Sequence, residues 1–303
     1  MKKFLFKCLI FIIPILISII LFEFLLREIP NDYSLKKKYM DLNSNQLEVL
    51  FLGNSHFLFG INPIYMSYNS YNFANSSQSL DIDLKIIENY KGNLNNLKFL
   101  VLPIDYSSLY YKLEEGDEKW RLKNYSIYYD FNDKNIFNNF ELLNGRVKNN
   151  FYRVYNFLSY KIDDISCNKL GFSLSYSKNY QNLLKSGNIA AKRHTVNMKE
   201  KNDTFKKNIH NLKRMIRFSK KNKIKLIFIT TPCYKTYTSK LNKIQLNKTI
   251  FSIKRFINNK TVFYYNLLDQ NSFGVNDYYD ADHLNEKGAK KLTLLVDSLL
   301  HLI

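Results

Sequence analysis

The sequence predicts an α/β fold: three layers, α/β/α, around a mostly parallel five-stranded sheet, with an N-terminal transmembrane helix and a large insertion after the third strand. Three observations carry that expectation. Five short apolar runs alternate with amphipathic helical stretches, the pattern of a sheet covered on both faces. An apolar segment occupies the N-terminus. Between residues 106 and 200 the periodicity lapses for too long to be a single loop.

Lys2, Lys3 and Lys7 make residues 1–7 a basic N-terminus. From Cys8 to Phe22 there is no charge, and Glu23-Phe24-Leu25-Leu26 carries the apolar stretch to Arg27. At roughly 1.5 Å per residue, residues 8–26 reach about 30 Å, one hydrocarbon core. No small-residue cleavage pattern follows, so the segment reads as a single-pass signal anchor in the cell membrane. The first-helix rule places the N-terminus inside and the remaining chain outside, extracytoplasmic. Residues 27–45 then form a charged stem.

The domain at 46–303 opens with an apolar strand at 48–52. A second strand at 71–74 ends in the polar loop Asn75-Ser76-Ser77-Gln78. Ser79 is placed to cap a helix with Asp81 and Asp83 in its first turn, Leu80, Leu84 and Ile87 inward, and Gly92 as its stop. The third strand, 97–104, leads into Asp105 and the aromatic-rich insertion at about 106–200. A helix with Phe205, Ile209, Leu212 and Ile216 on one face follows, then a strand at 225–231, a helix at about 243–257 and a strand at 262–265. Asn285 caps a last helix whose Ala289, Leu292, Val296 and Leu299 face inward.

Hydrophobic content of 46% suits a globular core rather than a disordered chain. The insertion's aromatics suit either a sugar-binding cleft or its own small core. The net charge of +19 comes from lysines scattered along the chain, with no zinc finger, RNP-type motif or phosphate loop, so no nucleic-acid partner is expected. Such a surface suits an anionic envelope or acidic polysaccharide. Cys167 and Cys233 read as buried free thiols, and without a CxxC or His/Cys cluster no metal is expected.

A parallel sheet gathers the carboxyl ends of its strands along one edge. Gly53-Asn54-Ser55-His56, the loop at 75–78, Asp105 and Asp280-Ala281-Asp282-His283 all follow expected strands, so they converge. A serine needs a base to take its proton, and the base needs an orienting acid. Asp280 can hold one imidazole nitrogen of His283 while the other faces Ser55. Asp282 is an alternative acid, and otherwise a solvated or helix-capping carboxylate. His56 is a neighbour of the site, and Asp105 a hydrogen-bond partner for its loops. Cys233 has no nearby His in sequence, and His194, His210 and His301 read as surface or packing residues.

Gly53-Asn54-Ser55 after the first strand and Asp280-x-x-His283 before the last helix resemble the first and last blocks of the SGNH/GDSL hydrolase superfamily, over roughly 46–105 and 203–303. The resemblance implies an SGNH/flavodoxin-like sheet, no cofactor, Ser55 as nucleophile, His283 as base, Asp280 as its acid and the Ser55 amide as an oxyanion donor. The family's second-block Gly falls on Ser77, whose backbone N–H serves equally. Asn75, Gln78 and Asp105 are further oxyanion or substrate candidates. The third-block Asn is missing from Leu102-Pro103-Ile104-Asp105; one lost donor costs about 2.7–4 kcal/mol in such a site. With its anchor, the chain is similar to SGNH-like proteins of surface-polysaccharide O-acylation. The implied activity is a serine esterase or O-acyl(acetyl)transferase acting on an acylated surface glycan through an acyl-serine, beside a membrane-bound O-acyltransferase. The alternative is a catalytically inactive scaffold binding polysaccharide or that acyltransferase.

Overall fold

The computed structural model describes residues 1–177 and 182–303, so residues 178–181 of the expected insertion lie outside the described residues. Its elements are α1 (Lys2–Glu28), α2 (Asp32–Asn43), β1 (Val49–Phe51), α3 (Ser55–Leu58), β2 (Ser70–Asn72), α4 (Leu80–Tyr90), β3 (Phe99–Pro103), α5 (Leu122–Tyr128), α6 (Val147–Tyr160), α7 (Leu183–His194), α8 (Asn202–Lys221), β4 (Lys225–Thr230), α9 (Lys235–Thr238), α10 (Lys243–Lys254), β5 (Val262–Asn266) and α11 (Glu286–His301). They divide into two compact units: 1–38 with 119–166, and 39–118 with 167–303.

The second unit holds the sheet. Its order is β2-β1-β3-β4-β5 with every ladder parallel, the flavodoxin-like order. Strands buried on both faces read as continuous apolar runs, and here both alternating sets are covered. Val49, Phe51, Val101, Ile227, Ile229 and Phe263 pack against Leu292, Val296 and Leu300 of α11. The alternate set, Leu50, Leu100, Leu102, Leu226 and Phe228, is fully buried and by the two-residue period points to the opposite face. On that side α8 packs along β4 and against α4. Each such side chain contributes about 1.5–3 kcal/mol on burial.

Asn285 caps α11 as expected, its Oδ1 accepting the N–H groups of Lys287 and Gly288 at 3.0 and 3.1 Å. Ser79 stands at the N-cap of α4 but makes no side-chain cap. Its hydroxyl instead donates to Asp81 Oδ1 (2.6 Å) and accepts the Leu113 N–H (3.1 Å). The inward stripe of α8 is Thr204, Asn208, Leu212, Met215, Ile216 and Ser219. Phe205 and Ile209, expected inward, are only half-buried, because the stripe is turned by one residue.

In the first unit, α1 is long and apolar enough to cross a membrane. Leu26 and Ile29, at its far end, are buried with Val154 of α6. The unit closes on Glu141, which is 1% exposed and accepts from Lys123, from Arg153 Nη1 at 3.1 Å and from the Tyr128 hydroxyl at 3.0 Å. Two cations compensate one buried carboxylate, so removing either partner set leaves charge uncompensated at about 3–5 kcal/mol. Residues 27–45, read as a stem, contain α2, and the boundary between the units falls inside it.

Candidate active site

The turn after β1 sets the site. Gly53 has φ +109°, and a Cβ there would lie 2.2 Å from Pro103 Cδ, so only glycine lets the chain turn this close to β3. Asn54 then caps α3, its Oδ1 accepting the His56 N–H at 3.1 Å, while its Nδ2 donates to Asp105 Oδ2 at 2.7 Å. Ser55 takes the first helical position, where its own N–H has no intrahelical acceptor.

Across the sheet edge, Ser55 Oγ lies 2.9 Å from His283 Nε2. His283 Nδ1 lies 3.0 and 3.2 Å from the two oxygens of Asp280. Asp280 Oδ1 also accepts the backbone N–H groups of Asp282 and His283, at 3.1 and 2.8 Å, so the carboxylate knots its own loop. The Tyr234 N–H clamps that loop to the end of β4 by donating to the Ala281 carbonyl at 2.8 Å. The structure thus brings Ser55, His283 and Asp280 into one hydrogen-bonded chain.

Asp282 is not the solvated or capping carboxylate expected as one reading. It is 2% exposed, 3.7 Å from His283 Nδ1 and 3.5 Å from Arg193 Nη2. Asn285 does the capping. Burial disfavours charge on His283, but the Asp282 charge, the Asp280 hydrogen bond and the Asp280 charge together outweigh it and lift His283 to about 9. Burial would raise Asp280 too, yet its hydrogen bond to His283 and the imidazole charge hold it at about 2. His56, stacked on His283 at 5.0 Å, is pushed down chiefly by burial, as is His194. One imidazole is therefore tuned to hold a proton and its two neighbours to be neutral.

The other expected residues are arranged in two ways. Asn75, Gln78 and the buried Asp83 form an internal string, Asn75 Nδ2 donating to Gln78 Oε1 (2.8 Å) and Gln78 Nε2 to Asp83 Oδ1 (2.7 Å). These side chains brace the loop under Gly53. Ser77, half-exposed at the loop's tip, has φ 59°, a conformation that costs a non-glycine residue about 1–2 kcal/mol. Asp105 holds Asn54 and lies 3.3 Å from Thr231 Oγ1, which in turn lies 3.0 Å from His56 Nδ1. Cys233 is buried and its thiol pushed far up by that burial, so it stays protonated.

Sequence reasoning missed Thr231, Arg193 and an aromatic stack. Tyr176 lies between Phe59 and Tyr279, at 3.7 and 3.8 Å, with its edge toward His283 at 5.5 Å. The insertion's tyrosine content was the only signal for it. Beside the triad, Ser186, Ile189, Ala190, Arg193 and Tyr279 line an open cleft that reaches Asp280 and Asp282. His56, Asp282 and His283 each bring a possible metal-ligand atom within 4.8 Å of the others. Both ring nitrogens of His283 already have partners, so a cation there would displace either Ser55 or Asp280 from the imidazole.

No protein-family model and no curated protein matches the chain. Among solved structures, it is similar to a candidate acylhydrolase from Bacteroides fragilis, at 12% identity and a TM-score of 0.42, over 88% of this chain and 95% of that one. It is also similar to a GDSL-like lipase from Bacteroides thetaiotaomicron, at 11% identity and a TM-score of 0.41, over 89% of this chain and all of that one.

Proposed function

We propose that the chain is a membrane-anchored serine hydrolase of SGNH type, an esterase or O-acyltransferase acting on an acylated surface polysaccharide. The observation that carries this reading is the chain Ser55–His283–Asp280, each link at hydrogen-bond distance. Ser55 Oγ attacks the ester carbonyl as its proton passes to His283 Nε2, and Asp280 holds the imidazole by Nδ1–H. The oxyanion takes the Ser55 N–H and the N–H of Ser77, whose left-handed backbone fits a position where the resembled family carries glycine. Collapse expels the alcohol, protonated by His283, and leaves an acyl-serine. Water then completes hydrolysis, or a glycan hydroxyl attacks the acyl-serine and releases Ser55. In the transfer case the ester that Ser55 first attacks is one presented by a membrane-bound acyltransferase, and the alcohol expelled is that donor's. The apolar length of α1 and the net charge of +19 support an anchored protein facing anionic polymer.

A second reading, a silent scaffold that binds the polysaccharide, is favoured by one observation: Leu102-Pro103-Ile104-Asp105 has no Asn where the resembled family places an oxyanion donor, and Asp105 there accepts the Asn54 amide at 2.7 Å. Labelling with a fluorophosphonate from pH 6 to 10, beside Ser55→Ala, separates the two. Ser55-dependent labelling that rises with pH supports the enzyme; none in a folded protein leaves the scaffold.

A further inference from the structure

Helix α6 buries Val154 against Leu26 and Ile29 of α1. Beginning about 20° round the helix from Val154, Val147, Phe151, Tyr152, Tyr155 and Leu158 are each more than half exposed, within an arc of about 140° at 3.6 residues per turn that continues outward from the contact with α1. An exposed apolar face of this kind marks an interaction surface.

The attachment of α1 identifies its occupant. The Phe151 ring lies 4.6 Å from that of Phe22, and Phe22 stands about 6 Å of helix rise before Leu26, the last apolar residue ahead of Arg27. Glu23, the one charge inside the apolar stretch, is neutralised at the same level. Arg27 Nε donates to it at 2.7 Å, and the N–H groups of Glu141 and Leu142 donate at 3.0 and 2.9 Å. The chain at 141–142 and α6 therefore flank α1 within the segment that fills the hydrocarbon, not beyond it. Arg146, Lys148 and Lys161 are exposed around α6, with Lys148 Nζ 5.8 Å from the Tyr152 ring. Tyrosines and basic side chains at that depth match the belt found at a bilayer interface.

We propose that the outer face of α6 is a membrane-docking surface, lying in the boundary between headgroups and acyl chains where α1 leaves the bilayer. The docking rests on α1 being the anchor proposed above. The test uses the full chain with Trp120→Phe, which removes its single tryptophan, in phosphatidylcholine vesicles carrying brominated acyl chains. Reporter tryptophans are placed one at a time by Phe151→Trp and Tyr155→Trp in α6, Ile17→Trp in α1 and Phe251→Trp on exposed α10.

Docking requires the α6 reporters to lose intensity to bromines near the carbonyls, to be blue-shifted and to resist aqueous acrylamide, while Phe251→Trp behaves oppositely. Quenching of the α6 reporters by acrylamide as full as at Phe251→Trp overturns the docking. Shielding from both quenchers overturns it too, since a second copy or another protein then covers the face. The Ile17→Trp reporter tells the two readings apart. If deep bromines do not quench it, the anchor fails and the docking with it; if they do while α6 stays in water, the docking alone fails. Tyr155→Trp keeps the test decisive if Phe151→Trp disturbs the contact with Phe22.

Discussion

Replacing Asp282 by asparagine removes one charge beside His283 and little else, since the side chain keeps its shape. At the 3.7 Å separation from His283 Nδ1, the lost attraction is ~1.1 kcal/mol at the dielectric constant of water and ~4.5 kcal/mol at an effective value of 20. Divided by 1.36 kcal/mol per unit, this is about 0.8 to 3 pKa units. Arg193, 3.5 Å from Asp282, already takes up part of that field, so the shift falls at the lower end. His283 should drop from about 9 by about one unit. Only the neutral imidazole takes the Ser55 proton, so the acid limb of fluorophosphonate labelling moves down equally, and labelling at pH 7 rises about tenfold. Nitrogen NMR of the His283 ring reads the same shift directly, whether or not the site turns over. A limb or titration that stays put, or moves up, refutes the account of His283.

Ser55→Ala and His283→Ala should each cut labelling and ester hydrolysis by about 10⁴-fold or more, with thermal unfolding near that of the parent. Asp280→Ala should cost far more activity than Asp282→Ala, because Asp280 alone receives the His283 Nδ1–H within 3.2 Å; equal losses would reverse the assignment. Gly53→Ala should destabilise by about 2–5 kcal/mol, from positive φ and the collision with Pro103 together, measured by urea unfolding. Asp83 is raised to about 7, chiefly by burial, so its contribution is complete below the ordinary value near 3.8 and is lost as pH rises to about 7. Asp83→Asn keeps an acceptor for Gln78 and removes that loss. Its melting temperature should match the parent at pH 4 and exceed it at pH 8; a lower value at pH 8 would show that the ionised carboxylate stabilises the loop.

The sheet was legible because its strands are buried on both faces, and a run such as Leu-Val-Leu at 100–102 has no other reading once turns and amphipathic helices flank it. The meeting of Ser55, His283 and Asp280 was legible for a topological reason: Ser55 opens α3 just after β1 and the other two lie in the loop before α11, both at the carboxyl edge, where the order β2-β1-β3-β4-β5 collects residues over 200 positions apart. The insertion was not legible, because its short helices and 3₁₀ turns bury scattered polar groups such as Glu141, Asn138 and Asn150 rather than a periodic stripe. Tyr176 belongs to the same blind region, and its stacking on Phe59 and Tyr279 depends on pairings that no local pattern encodes.

The roles of Asp282 and Asp105 show where spacing stops being informative. In Asp280-Ala281-Asp282-His283 either carboxylate stands near the imidazole in sequence, and what separates them is direction. Asp280 accepts the loop's own N–H groups and the ring N–H together, whereas Asp282 is turned inward between His283 and Arg193. Arg193 is the last but one residue of α7, nearly ninety positions away, so no reading of the loop alone could supply the partner that makes burial of Asp282 tolerable. Asp105 poses the same problem in reverse. Its carboxylate accepts the Asn54 amide at 2.7 Å and stands against Thr231, which fixes the turn carrying Ser55 and leaves the Asn54 amide engaged. The third strand thus meets the Ser55 turn with an acceptor where the resembled family places a donor. In the proposed reaction, oxyanion binding then falls on backbone N–H groups and proton transfer on how readily His283 gives up its proton, which is the quantity Asp282→Asn changes.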